Sequence, residues 1–144
     1  MDDADRHASV ATNGGRALGE RVVIVAGWIL SALLVLFILG ASVTPKLMGM
    51  NAAIEPLTVV GWPIKYMVLI GCIELACMVL FAIPRTALLG AILMTGLLGG
   101  ALAANLRVDN PLYSHTLFSV YFGIAMWAAL WLRDPRIREL FPLS

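Results

Sequence analysis

In the stretch "IGCIELACM", residues 70–78, Glu74 lies between Cys72 and Cys77 inside an otherwise apolar run. A charge at the centre of a membrane helix costs roughly 2.5–3.5 kcal/mol on insertion scales. A carboxylate persists there by holding a proton, by pairing with a cation or by facing an aqueous cavity. The flanking cysteines do not have C-x-x-C spacing, and one helix sets them about 140° apart around its axis. That separation rules out an intrahelical disulfide, so both are expected to be buried thiols serving as small hydrophobes. Met67, Met78, Met94 and Met126 form no compact ligand set with imidazole and read as packing material.

Four polar residues at helix ends are candidate partners for Glu74: Lys46, Asn105, Arg107 and His115. Lys46 and Arg107 have long stems that can carry a cation inward, and Asn105 offers both donor and acceptor. Glu74 lies roughly a dozen ångströms from the near end of its own helix. Contact therefore requires inward reach or a bridging water. The plainer roles are snorkelling anchors for Lys46 and Arg107, an interfacial residue for His115 and a helix cap for Asn105.

The elements that must position these groups follow from hydropathy. The chain has 144 residues, 60% of them apolar and only 13% charged, against about 45–50% and 25% in an average soluble domain. Residues 1–21 are polar, small and without a helical stripe, and are expected to form a disordered tail. Residues 22–144 are expected to form the four-helix membrane domain. Val22 to Val43 is uncharged and covers roughly 33 Å as a helix, enough to cross the hydrocarbon layer. Acidic residues precede it and it is too long for a secretory h-region, so it is expected to be a retained span. Pro45 and Lys46 are expected to close it. Further spans are expected at about 66–83, 86–106 and 116–132, with Pro84 and Arg85 forming a tight antiparallel turn.

The expected fold class is all-α, an antiparallel transmembrane four-helix bundle. Residues of about 50–62, ending in Gly61-Trp62-Pro63, suit an interfacial segment. Asp134 and Pro135 suit the cap and first position of a brief terminal helix. Seven of the ten Lys and Arg residues fall in the two tails and the second loop. The positive-inside tendency then places both termini in the cytoplasm, in a multi-pass protein of the cell (inner or plasma) membrane.

Along the third span small residues recur every fourth position: Ala87, Ala91, Thr95, Gly99 and Ala103, with Gly96, Gly100 and Ala104 beside them. Close approach holds helices together in lipid, so Gly96, Gly99 and Gly100 are expected to pack against a neighbouring helix of the same chain. A homodimer seam is the alternative use of this ridge.

Several function classes lack their signatures. There is no Ser/His/Asp set, P-loop, HExxH or haem attachment motif. The arginines stand at segment ends rather than in a patch, which argues against nucleic acid.

The chain resembles the DoxX-like family of small four-helix membrane proteins over roughly residues 27–142. The resemblance is carried by "GWPIKYMVLIGCIELACMVLFAIPRTALLGAIL", "TGLLGGALAANLRV" and "LWLRDPRIRELFP". It implies polar positions at Lys46, Glu74 and Arg107. Members often carry His where this chain has Asn105, and "ASVTPK" departs from the usual approach to the lysine. Some relatives are membrane subunits of oxidoreductases that deliver electrons to quinone, or belong to redox-stress complexes, so the resemblance implies a redox-linked membrane role. The reading that follows is a non-catalytic or accessory component, with a membrane or redox protein as partner, that binds a quinone or lipid between the helices near Glu74. A proton-coupled transporter using Glu74, or a structural scaffold, is the alternative.

Overall fold

The computed structural model describes residues 3–140 and 142, with side chains from residue 18 onward. Four stretches are long and apolar enough to cross a membrane: Leu18–Leu47, Ile64–Ala82, Ala87–Arg107 and Leu112–Arg133. All regular structure among the described residues is helical.

Helix α1 runs from Asp3 to Ile38. The backbone of residues 3–21, expected to be a disordered tail, is therefore helical. Extending a helix that an apolar span has already nucleated costs far less than starting one. Nor does Pro45 end the first span. In a regular α-helix its ring would strike the carbonyl four residues back, which belongs to Ala41. Instead Leu39–Val43 form a π-helical turn in which Thr44 N–H bonds the Leu39 carbonyl. This wider turn admits Pro45, and α2 (Thr44–Leu47) continues the rod. Gly49, at φ 67°, then reverses the chain, and Met50 N–H bonds the Pro45 carbonyl at 2.9 Å.

Helix α3 (Asn51–Val59) occupies the expected interfacial segment and buries Ala53 and Leu57 against Met67. Helix α4 (Met67–Ala82) ends because Ile83, preceding Pro84, is held extended at φ −82°, ψ 122°. Thr86 Oγ1 donates to the Leu80 carbonyl at 2.9 Å and closes the turn into α5 (Ala87–Arg107). A second π-helical turn, Leu112–Thr116, leads into α6 (Phe118–Arg133). Helix α7 (Pro135–Leu140) starts as expected, with Asp134 Oδ1 accepting from the Arg136 N–H at 3.0 Å.

The bundle closes as a ring in which α1 packs on α6, α6 on α5, α5 on α4, and α4 on the far end of the first span. Phe81, Met78, Met94, Met126 and Leu130 fill its centre, so the methionines serve as packing. Cys77 is buried, whereas Cys72 is exposed on the outer face, contrary to the expectation that both thiols are buried. The angular separation of the two cysteines accounts for this difference.

The small-residue ridge of α5 packs differently from expectation. Ala87 and Ala91 are buried, but a Cβ added at Gly96, Gly99 or Gly100 would meet nothing within 4 Å. An i, i+4 row advances about 40° around a straight helix at each step, so Gly99 stands about 80° from Ala91, and Gly100 in the neighbouring row, nine residues on, about 180° from it. The row therefore winds out of the core. The close approaches are made at Gly90, where a Cβ would lie 2.3 Å from Phe81 N, and at Gly27, 2.5 Å from Arg133 N.

Candidate functional site: a lysine–glutamate pair between two spans

Lys46 meets Glu74 inside the bundle. Its Nζ lies 2.7 Å from Oε1 and 2.8 Å from Oε2, with side chains 13% and 11% exposed. Nζ also donates to Ser42 Oγ at 2.5 Å, and Ser42 Oγ donates to Oε2 at 2.9 Å. Three helical segments supply this triangle. Ser42 comes from the π-helical turn, Lys46 from α2 one turn later, and Glu74 from the middle of α4.

Backbone shape explains why a lysine at a helix end reaches so deep a carboxylate. Gly71 lies one turn before Glu74, and a Cβ there would stand 3.0 Å from Lys46 Cβ and 3.3 Å from Leu47 Cδ2. Without that Cβ, α2 lies against α4. The lysine stem then has to travel only about 4.5 Å along the axis, the rise from residue 71 to residue 74. The π-helical turn keeps Ser42 and Lys46 on one face.

The other expected partners are engaged elsewhere. Asn105 Nδ2 donates to the Ala101 carbonyl at 2.8 Å, and its Oδ1 accepts from Asn110 Nδ2 at 2.7 Å. Arg107 Nη2 donates to the Val60 carbonyl at 2.5 Å and ties the end of α5 to the chain leaving α3. His115 is exposed, with Nδ1 2.8 Å from the neighbouring Ser114 hydroxyl. Of the expected cluster, the structure joins only Lys46 and Glu74 and adds Ser42. The signal for Ser42 was its position four residues before the lysine, on the same helical face.

Chemically, all three ammonium protons of Lys46 have acceptors, while the carboxylate accepts three bonds and has about four lone-pair positions. One acceptor position on Oε1 is left for a hydroxyl or N–H donor. Among the described residues no group of three or more His, Cys, Asp or Glu side chains is placed to hold a metal ion.

The DoxX-like family model matches residues 29–129, which include the first span from its Trp28 neighbour onward, Lys46, Glu74 and most of α6. The chain belongs to the DoxX-like family. No curated protein and no solved structure matches it. With its four apolar spans, this DoxX-like protein is a multi-pass membrane protein. Its ion pair therefore joins two membrane-spanning helices.

Proposed function

We propose that the Ser42–Lys46–Glu74 triangle receives the polar head of a quinone- or lipid-like molecule, and that the protein is a non-catalytic or accessory component of a membrane redox system. Its termini are then cytoplasmic, following the distribution of lysine and arginine in the loops. The observation that carries this reading is the near-buried ion pair between two spans. Such a pair is weak support for stability, because apolar residues of similar volume often serve as well or better. A ligand that needs a donor and an acceptor gives the pair a purpose. The free acceptor position on Oε1 suits a hydroxyl, and Lys46 can release Ser42 to donate to a carbonyl. A cation-exchanging role is disfavoured, since the lysine already neutralises the carboxylate.

The same closed triangle also suits a structural clasp between the first and second spans, and one experiment separates the two readings. Protein purified in mild detergent is analysed by mass spectrometry for retained quinone and lipid, beside Glu74→Gln. Loss of a specific quinone or lipid in the variant supports the ligand site. Equal retention in both proteins leaves the triangle as a clasp and removes the ligand role.

A further inference from the structure

At the opposite end of the bundle Arg133 closes α6 with only 6% of its surface exposed. The backbone contact at Gly27 allows this, because a side chain there would collide with Arg133 N and Cβ. The guanidinium carbon lies 4.4 Å from the Phe81 ring centroid and 4.8 Å from that of Trp28. Nη2 donates to the Phe81 carbonyl, but Nη1 is buried without a hydrogen-bond partner. The Arg133 charge is therefore held beneath the surface with only part of its hydrogen-bonding capacity met, which favours an anion nearby.

Beside Arg133 lies a cavity of about 280 Å³, lined by Trp28, Arg85, Leu130, Asp134 and Arg136 among others. Arg85 comes from the α4–α5 turn and Arg136 from α7. Both are exposed, and neither guanidinium has a hydrogen-bond or ion-pair partner among the described residues. Asp134 is the acid of this lining, and its Oδ1 is engaged by the Arg136 N–H as the cap of α7. The lining thus holds three guanidiniums against one carboxylate.

We propose that this cavity is a phosphate site, taking the phosphate of an anionic lipid head group or a free phosphate anion. Arg85 and Arg136 present N–H donors in planar forks that match phosphate oxygens, the buried Arg133 guanidinium adds its positive charge behind them, and these charges persist at any physiological pH. Basic pockets between membrane helices are suited to phosphorylated head groups. The volume falls just below the roughly 300–1,000 Å³ of sites that enclose whole drug-sized ligands, so it accommodates a head group while acyl chains remain in the bilayer. Trp28, 41% exposed at the rim, is the amphipathic residue suited to that level. The site is independent of the Lys46–Glu74 pair and stands whether or not that pair binds a ligand.

Purified full-length protein in neutral detergent tests this by native mass spectrometry, titrated with phosphatidylglycerol or phosphatidylcholine, with inorganic phosphate as competitor. Phosphatidylglycerol should bind at least about tenfold more tightly than phosphatidylcholine, and Arg85→Gln with Arg136→Gln should weaken it about thirty-fold. Both residues are exposed and unpaired, so the double variant should keep its helical circular dichroism. Binding of phosphatidylglycerol that millimolar phosphate leaves intact identifies the lipid as the source. Displacement by phosphate identifies the free anion, with the phosphate chemistry upheld. Equal binding of the two lipids with no binding of inorganic phosphate, or a double variant whose binding is unchanged, overturns the proposal.

Discussion

Removing one member of the Lys46–Glu74 pair should cost more than removing both. At 2.7 Å and an effective dielectric of about 20, two unit charges attract by about 6 kcal/mol. Much of that attraction offsets the desolvation of both groups. In Lys46→Met the carboxylate keeps only the Ser42 hydroxyl as donor, and in Glu74→Leu the ammonium keeps only the Ser42 oxygen. Breaking a buried pair from one side typically destabilises by about 3–5 kcal/mol. Exposure of 13% and 11% leaves some hydration, which favours the lower end of that range. The double variant leaves no stranded charge and should lose less than either single one, or gain stability. The resulting coupling should be several kcal/mol, approaching the Coulomb figure. Equilibrium unfolding in mixed micelles of increasing dodecyl sulfate content, followed by circular dichroism, measures all four proteins. Additive single effects would refute the reasoning, because they would mean that the two charges do not interact in the folded bundle.

Helix packing offers a sharper contrast between glycines. Gly90→Ala places a Cβ 2.3 Å from a backbone nitrogen, and should destabilise by at least about 1–3 kcal/mol even after the roughly 1 kcal/mol gained in helix propensity. Gly99→Ala meets open space and should be neutral or up to about 1 kcal/mol stabilising; similar losses in the same unfolding assay would contradict this packing. The thiols should also separate: in detergent a small membrane-permeant maleimide should label Cys72, on the lipid-facing side of α4, faster than buried Cys77, which it should reach only on unfolding. Equal labelling rates would show that the two faces of α4 are misassigned.

Much of the fold was legible because its causes are local. Uncharged runs of about 20 residues declare spans wherever they occur. Pro84 stops α4 by constraining the residue before it, and Asp134-Pro135 starts α7 through its own hydrogen bond. Glu74 stood out because a charge amid apolar residues is costly in any arrangement of helices. Pro45 misled for a physical reason. Its steric conflict is as local as that of Pro84, but the chain resolved it with a π-helical turn instead of a break.

The sequence by itself determined the number of spans, the caps and turns, and the presence of one acid in need of a partner. The tertiary structure decided which cation answers it. Lys46, Arg107 and His115 are similar in kind from sequence alone, but only α2 meets a glycine, Gly71, that lets its lysine lie along α4. Tertiary packing likewise turned Gly96, Gly99 and Gly100 outward and buried Arg133 between two aromatic rings. Hydropathy and capping act within a few residues of the chain. Which faces of two helices meet depends on their mutual rotation and approach, and those are set only when all four spans pack together.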